Sequence, residues 1–192
     1  MMIIGITGGI GSGKSVVAQM LRAMGHKVYD SDSEAKRLMN TSPQLRQKLM
    51  EAFGSEIYRD GTLDSKALAA IIFNRPEARG RVNAIVHPAV KEHMLQWVRQ
   101  AGSEPVWVET AILRESGLDA VVDRAWIVEA PLEVRIARVE SRDSASRKQI
   151  EARIASQSCN LPYRCPTVTI VNDNRHSVSP VLHRLLSQLN EL

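Results

Sequence analysis

The residues with the clearest chemical potential are the eight at positions 8–15, which run G-G-I-G-S-G-K-S. They match the pattern G-x-x-x-x-G-K-[ST], in which glycines let successive backbone N–H groups close around a phosphate. Lys14 supplies a charge for the outer phosphates, and Ser15 offers a hydroxyl ligand to Mg²⁺. A strand-like apolar run precedes the motif and a helical pattern follows it, which is the setting the motif requires. The motif therefore predicts that the chain binds a nucleoside triphosphate.

Acidic residues follow two of the strand-like segments. Asp30 and Asp32 come after the run at residues 26–29, and Glu109 closes the run at residues 106–108. Because the carboxyl ends of parallel strands line the ligand crevice of an open sheet, we expect these carboxylates at the phosphate site. One of the first two could orient an acceptor hydroxyl and take its proton while the other holds a helix N-terminus, and Glu109 suits a contact with metal-bound water. The open alternative is that these acids only cap helices or face solvent.

Three arginines, Arg135, Arg138 and Arg142, are spaced three and four residues apart and therefore lie on one face of a predicted helix. They belong to a basic segment, residues 133–164, which holds most of the chain's net charge of +4. Such a face beside a phosphate-binding loop can clamp phosphates and stabilise transition-state charge. The alternative for each arginine by itself is a role at the solvated surface. Arg142 and Asp143 then leave the helix, as a mobile lid over a nucleotide would.

The segments that must position these residues alternate between strand and helix patterns. A strand–helix–strand beginning, followed by later strands separated by helices, predicts a parallel sheet with helices on both faces. The predicted strands are short β-branched or aromatic runs at residues 2–7, 26–29, 106–108, 125–128 and 168–171.

One long stretch lies outside this alternation. Residues 33–102 have mostly helical periodicity, and an insertion of that length between two sheet strands predicts a separate helical subdomain. Within it, Pro88 should kink a helix or mark a boundary near His87, because proline lacks the N–H that a helix interior needs.

Two further helices are predicted in the last third of the chain. The sequence S-R-K-Q at residues 146–149 has the form of a capping box, which opens a helix. Gln149, Arg153 and Gln157 share one face of that helix. After N-D-N at residues 172–174, regularly spaced apolar residues predict a terminal amphipathic helix.

Composition disfavours several classes of protein. The 192 residues are 44% hydrophobic, enough for a sizeable core, and contain no apolar run near the roughly 20 residues that span a bilayer. With 4% aromatic residues, a nucleic-acid binder built on stacking platforms is disfavoured. The apolar opening at residues 1–7 is short and lacks a basic start, unlike a signal peptide. Cys159 and Cys165 match no metal or redox motif, so both are expected to be free thiols in a reducing compartment.

Taken together, these residues resemble the dephospho-CoA kinase family over nearly the whole chain. The sequence G-I-T-G-G-I-G-S-G-K-S at residues 5–15 looks like the family's extended phosphate-binding loop (P-loop), and Y-D-S-D at residues 29–32 is similar to its D-A-D. I-V-H-P at residues 85–88 matches its substrate-domain signature, and N-D at residues 172–173 resembles the pair close to its adenine.

The chain also departs from the family pattern. A-I-L-R-E at residues 111–115 replaces P-L-L-[FI]-E, P-T at residues 166–167 replaces A-D, and Ser31 replaces the alanine of D-A-D. The remaining motifs keep the family's order and separations.

The resemblance implies an enzyme that transfers a phosphoryl group from ATP to the ribose 3′-hydroxyl of dephospho-CoA, the last step of coenzyme A synthesis. It implies that Asp32 is the catalytic base and that Lys14 and Arg142 stabilise charge on the phosphoryl group in transfer. It also implies that Asp32 and His87 contact the acceptor.

The cofactors that the resemblance implies are ATP, as phosphoryl donor, and Mg²⁺. Ser15 would bind the metal directly, and Glu109 would bind it through water. The residues expected to bind ATP are Gly9, Gly11, Ser12, Gly13, Lys14, Ser15, Val16 and Asn172.

The expected fold is that of a P-loop NTPase, a three-layer α/β/α arrangement with a parallel sheet, an inserted helical substrate domain and a lid. Residues 1–192 would form one kinase domain, with a nucleotide-binding core at 1–59 and 103–192, a helical subdomain at 60–102 and a lid at 135–150. Dephospho-CoA would lie across the carboxyl edge of the sheet, against the helical subdomain. We expect this small-molecule substrate as the binding partner, and no nucleic acid, membrane or obligate protein partner. The expected location is the cytoplasm.

Two other functions stay open on the residues themselves. One is a different small-molecule P-loop kinase, acting on a nucleoside monophosphate or a sugar. The other is a non-catalytic nucleotide-binding module whose basic segment contacts nucleic acid, which the lack of an aromatic platform disfavours. A GTPase is disfavoured because residues 172–175 are N-D-N-R, without the lysine of a guanine-reading N-K-x-D sequence.

Overall fold

The computed structural model describes residues 1–143, 145–157 and 162–190. Within them the strands are β1 (Ile3–Thr7), β2 (Lys27–Asp30), β3 (Tyr58–Arg59), β4 (Thr62–Leu63), β5 (Val106–Glu109), β6 (Arg124–Glu129) and β7 (Thr167–Val171). The helices are α1 (Lys14–Ala23), α2 (Ser31–Thr41), α3 (Pro43–Phe53), α4 (Ser65–Asn74), α5 (Pro76–Gln100), α6 (Leu132–Arg142), α7 (Arg147–Ala155) and α8 (Val178–Asn190). The chain divides into two compact units, Met1–Tyr29 with Ser103–Leu192, and Asp30–Gly102.

The first unit is built on a five-stranded sheet in the order β2-β5-β1-β6-β7. β1 pairs in parallel with β5 and with β6, and β6 pairs in parallel with β7. The central strands β1 and β5 are buried along almost their whole length, as strands of a parallel sheet covered by helices on both faces are. All five predicted strands are confirmed, with ends that differ by at most one residue.

The core of this unit lies between the sheet and two helices. Ile4 and Ile6 of β1 are fully buried against the apolar faces of α1 and α8. Trp107 and Trp126 of the neighbouring strands pack edge to face in the same cluster, with ring centroids 6.0 Å apart. The terminal amphipathic helix is therefore confirmed as α8.

A smaller cluster joins α6 to α7. Its buried members are Ile136, Val139 and Ile150, and the side chains of Ile10 and Ile154 pack against them. The capping box is confirmed, since the side chain of Gln149, the third residue of α7, accepts a hydrogen bond from the backbone N–H of its N-cap at 3.0 Å. The region predicted as a lid, residues 135–150, thus spans most of α6, the connection and the start of α7.

The second unit holds α2 to α5 and the short antiparallel pair β3–β4. It begins at Asp30, so it includes residues that the sequence analysis assigned to the nucleotide-binding core. The physical reason is a set of contacts inside the unit: the hydroxyl of Tyr58 donates to the carbonyl of Met39 at 2.7 Å, and the side chain of Asn40 accepts from the N–H of Leu63 at 2.8 Å. The assignment of substrate contacts to residues 60–102 stays a prediction.

Helix α5 continues through Pro88, so no helix boundary lies near His87. Val86 and Val90, on either side of the proline, are both buried, as is Met94 one turn later. Burial of this apolar face holds the helix together across the position where proline removes a hydrogen bond.

None of the described helices is long and apolar enough to cross a membrane. Of the two cysteines, Cys165 is a half-buried free thiol, and burial raises its pKa above the ordinary value. Cys159 lies outside the described residues.

Candidate active site

The P-loop connects β1 to α1 in a tight turn that only glycine can make at two positions. Gly11 has a φ of +77° and Gly13 a φ of +91°, both in the left-handed region. A Cβ on Gly11 would also lie 2.5 Å from the backbone oxygen of Arg135. Because α1 begins at Lys14, directly after the turn, its unpaired N–H groups and positive end face the bend of the loop. The loop is therefore suited to bind phosphate.

The side chains of Ser15 and Glu109 meet at the Lys14 end of this loop. The Ser15 hydroxyl donates to Oε1 of Glu109 at 2.7 Å, and Glu109 is only 5% exposed. Arg22 lies 3.9 Å from the other carboxylate oxygen. In nucleotide sites Mg²⁺ is usually bound by only one or two protein side chains, such as a hydroxyl and a carboxylate, while phosphates and waters fill its other coordination positions. These residues fit the predicted metal site, although no cluster of three or more His, Cys, Asp or Glu side chains occurs among the described residues.

Two arginines of α6 hold the outside of the P-loop. Nε of Arg135 donates to the carbonyl of Ile10 at 2.9 Å. Arg138 donates to the carbonyls of Gly11 and Ser12 at 3.2 and 3.1 Å. Burial lowers the pKa of Arg135, yet a guanidinium stays charged in proteins. Both side chains thus bind backbone carbonyls of the loop, and their contact with phosphates stays a prediction.

Asn172, which follows β7, ties the end of the sheet to the same loop. Its Nδ2 donates to the carbonyl of Ser12 at 2.9 Å, and its Oδ1 accepts from Arg138 at 3.1 Å. Arg138 also contacts the side chain of Asn174. The structure therefore gives Asn172 a part in holding the loop, while its direct contact with the nucleotide stays a prediction.

Arg142 ends α6 and pairs with the next residue. Its Nε lies 2.8 Å from Oδ1 of Asp143 and its Nη2 lies 3.2 Å from Oδ2. Arg153 of α7 approaches the same carboxylate at 3.7 Å. The hydrogen bonds from Arg142 hold the pKa of Asp143 below its ordinary value, so the pair is ionic at neutral pH. Catalysis by Arg142 stays a prediction, and the pair joins α6 to α7 in the region predicted as a lid.

Gln157 is a site residue that we did not predict. Its side-chain oxygen accepts a hydrogen bond from the backbone N–H of Ile10 at 2.7 Å. The sequence analysis placed Gln157 on one helix face with Gln149 and Arg153, but α7 ends at Ala155 and Gln157 lies in the turn after it. The predicted pattern gave no sign of its contact with the P-loop.

The predicted residues Asp30, Asp32 and His87 belong to the second unit. Asp30 caps α2, since its carboxylate accepts from the backbone N–H of Ser33 at 3.0 Å and from the Ser33 hydroxyl at 2.8 Å. Asp32 lies in the first turn of α2, two residues after β2 ends, and His87 lies within α5. The structure thus identifies Asp30 as the acid that holds the helix N-terminus, which was one of the two roles expected for the pair.

The chain is similar to known proteins over almost its entire length. A family model described as dephospho-CoA kinase matches residues 2–178. A dephospho-CoA kinase of Bacteroides fragilis strain YCH46 is 41% identical over 189 residues, covering 97% of this chain and 92% of that protein. One of Porphyromonas gingivalis is 40% identical over 188 residues, covering 97% and 93%. A crystal structure of the Thermus thermophilus protein TT1252 is 34% identical, with a TM-score of 0.76, and covers 100% of this chain and 97% of that one.

Proposed function

This chain belongs to the dephospho-CoA kinase family, and on that premise we propose that its P-loop site transfers the γ-phosphoryl group of ATP to the ribose 3′-hydroxyl of dephospho-CoA. The products are coenzyme A and ADP. The observation that carries the proposal is the P-loop itself, with a hydroxyl and a buried carboxylate 2.7 Å apart at its end, in a chain that matches the family from residue 2 to residue 178.

Binding of ATP rests on the backbone of the loop and on Lys14. The N–H groups of the turn and of the first turn of α1 surround the β- and γ-phosphates, and the Lys14 ammonium neutralises part of their charge. Because Arg135 and Arg138 hold the loop from outside, the N–H groups keep their directions before the nucleotide arrives. Because the loop is already ordered, binding of the nucleotide costs less conformational entropy.

Ser15 and Glu109 would hold Mg²⁺, Ser15 directly and Glu109 through water. When bound, the metal neutralises charge on the β- and γ-phosphates. The Ser15 hydroxyl, which donates to Glu109 in this structure, would then turn its oxygen to the metal and keep the carboxylate as a neighbour.

Asp32 would accept the proton of the acceptor hydroxyl. In the step, a bond forms between that oxygen and the γ-phosphorus while the bond from the γ-phosphorus to the bridging oxygen of ADP breaks. Asp30 caps α2, and the role of base for Asp32 follows from the resemblance of Y-D-S-D to the family's D-A-D. Lys14 and Arg142 would stabilise the negative charge on the phosphoryl group during transfer. His87, together with other residues of the segment 60–102, would bind dephospho-CoA.

The reaction is proposed for the cytoplasm, with no nucleic acid, membrane or obligate protein partner. A reducing compartment is proposed from the spacing of the two cysteines in the sequence, which matches no disulfide-dense or metal-binding pattern.

An acceptor panel tests the proposed function. ADP release is followed in a coupled assay with dephospho-CoA, AMP, CMP and gluconate as acceptors, each with ATP and Mg²⁺. We expect rapid turnover with dephospho-CoA alone, and Lys14→Ala serves as the inactive control. Faster turnover with a monophosphate or a sugar would identify a different small-molecule kinase and overturn the proposal.

A further inference from the structure

The connection from β5 to β6 is bonded by two side chains to the segment just before β7. Nε of Arg114 donates a hydrogen bond to the carbonyl of Pro162 at 2.9 Å. The backbone N–H of Arg164 donates to Oδ2 of Asp119 at 3.1 Å, and Nε of Arg114 lies 3.4 Å from the same carboxylate oxygen. Both peptide groups that flank Tyr163 are therefore held, one by an arginine and the other by a carboxylate.

Tyr163 lies on the wall of the phosphoryl-transfer site. It lines a cavity of about 400 Å³ at the carboxyl ends of β1 and β6, together with Gly8 and Gly9 of the P-loop. The connection from β5 to β6 lines the same cavity with Ala111 and Glu115. The bonds between the two connections therefore fix one wall of the site relative to another.

The ion pair between Arg114 and Asp119 is buried. The Arg114 side chain is 16% exposed and that of Asp119 is 0% exposed. Oδ1 of Asp119 has no hydrogen-bond partner within the described part of the chain. Because the cost of removing two charges from water offsets most of their attraction, such a pair stabilises a fold no better than apolar residues of similar volume. What the pair supplies is the fixed geometry of the segment that it holds.

Arg114 is one of the positions at which the chain departs from the family pattern. It stands in A-I-L-R-E, at the place where the pattern P-L-L-[FI]-E has Phe or Ile. Neither Phe nor Ile has a side-chain donor for the carbonyl of Pro162. The bond to the segment before β7 is therefore made by a residue that the family pattern does not include.

We propose that Arg114 and Asp119 are positioning residues, which hold Tyr163 where it contacts the acceptor. The inference rests on the proposed function, in which dephospho-CoA lies at the carboxyl edge of the sheet. Because both flanking peptide groups are bonded, the backbone of Tyr163 is ordered before the substrate arrives, and binding costs less conformational entropy. The tyrosine ring offers an apolar surface and its hydroxyl offers a hydrogen bond, so both can contribute to binding of a nucleotide.

A double-mutant cycle in steady-state kinetics tests this role. Tyr163→Ala should raise KM for dephospho-CoA about tenfold and Arg114→Ala about fivefold, with kcat and KM for ATP within about twofold of the wild type. Because Arg114 acts through Tyr163, the double variant should have the KM of Tyr163→Ala alone. Arg114→Lys keeps a donor for the Pro162 carbonyl, and its KM should return to within about twofold of the wild type.

The carboxylate is tested in the same assay. Asp119→Ala should raise KM for dephospho-CoA as Arg114→Ala does, whereas Asp119→Asn keeps an acceptor for the Arg164 N–H and should have a smaller effect. If Asp119→Ala does not fold, the cycle with Arg114 decides. Arg184→Ala is the matched control, because Arg184 is an exposed arginine of α8, and it should keep the KM values of the wild type.

The possible outcomes separate this inference from the proposed function. If Arg114→Ala keeps the wild-type KM for dephospho-CoA, or if its effect multiplies with that of Tyr163→Ala, the inference is wrong and the proposed function stands. A rise in KM for ATP alone would assign Tyr163 to the donor and also overturn the inference. A wild type that does not phosphorylate dephospho-CoA overturns the proposed function, and the inference fails with it.

Discussion

The side-chain oxygen of Gln157 accepts a hydrogen bond from the backbone N–H of Ile10 at 2.7 Å. Arg135 donates to the carbonyl of the same residue at 2.9 Å, and the Ile10 side chain packs against the cluster between α6 and α7. The tip of the P-loop is thus held through its N–H by the turn after α7, through its carbonyl by α6 and through its side chain by the cluster between the two helices. The shape of the phosphate site therefore depends on α6 and on the residues of and after α7, a region for which the sequence analysis predicted a phosphate clamp and a lid.

Replacing Gln157 tests this dependence. Gln157→Ala leaves the Ile10 N–H without its acceptor, and we expect KM for ATP to rise about fivefold to tenfold with little change in melting temperature. The matched control is Gln149→Ala in the first turn of α7, which removes half of the capping box. That variant should lower Tm by about 2–4 °C and leave KM for ATP unchanged. The opposite pattern, with the larger KM effect at Gln149, would contradict the role given to Gln157.

The contact between Ser15 and Glu109 predicts a specific dependence on Mg²⁺. Ser15→Ala removes a metal ligand and also the donor to a buried carboxylate, so the Mg²⁺ concentration for half-maximal activity should rise about tenfold or more. Activity is titrated with Mg²⁺ at saturating ATP and acceptor. Ser141→Ala, which alters an exposed hydroxyl on α6, should titrate like the wild type. An unchanged midpoint for Ser15→Ala would remove Ser15 from the metal site.

Asp30, the last residue of β2, and Asp32, two residues later, should respond differently to replacement by asparagine. Asp32→Asn should reduce kcat by about 10²–10⁴, the usual contribution of a positioned base, with little change in ATP affinity. Asp30→Asn keeps a side-chain oxygen for the Ser33 N–H and should leave kcat near the wild-type value. Rapid kinetics of both variants decides the matter, and a larger loss at Asp30 would exchange the two roles.

Asp173 predicts how stability depends on pH. The backbone N–H groups of His176 and Arg175, each 2.9 Å from its Oδ1, hold the pKa of Asp173 well below the ordinary 3.8. A group whose pKa is lower in the folded state stabilises the protein above the unfolded pKa and loses that contribution as the pH falls.

The measurement is the difference in Tm between the wild type and Asp173→Ala. We expect the wild type to melt higher at pH 7, and the gap to narrow steadily once the pH falls below about 4. A gap that widens at low pH would show that the carboxylate is not stabilised by these N–H groups.

A feature could be predicted from the sequence when the residues that determine it are close together in the chain. The P-loop, the strands and the capping box at Ser146 are set by neighbouring residues, and all three were predictable. The contacts of Arg138 with Gly11 and with Asn172 join residues 127 and 34 positions apart, and spacing on a helix face shows only that the arginines share a side. It cannot show that two of them bind backbone carbonyls.

The start of the helical unit was harder to predict for a related reason. Helical periodicity identifies α2 and α3 as helices, but it does not say which surface each one packs against. The hydrogen bond from Tyr58 to Met39 connects α2 to the rest of the second unit. No sequence pattern indicated what the side chain of Tyr58 contacts. Of the two outcomes expected at Pro88, the helix boundary near His87 is wrong, because α5 continues through the proline with Val86 and Val90 buried on either side.

Phosphorus NMR measures most directly where the phosphoryl group goes. The protein is incubated with ATP, Mg²⁺ and dephospho-CoA, and the products are compared with those of the Lys14→Ala variant. We expect the wild type to convert dephospho-CoA into a product with a new phosphomonoester signal, coupled to the ribose 3′ proton, in step with ADP formation. ADP that accumulates with inorganic phosphate and without that phosphomonoester would contradict phosphorylation of dephospho-CoA by this protein.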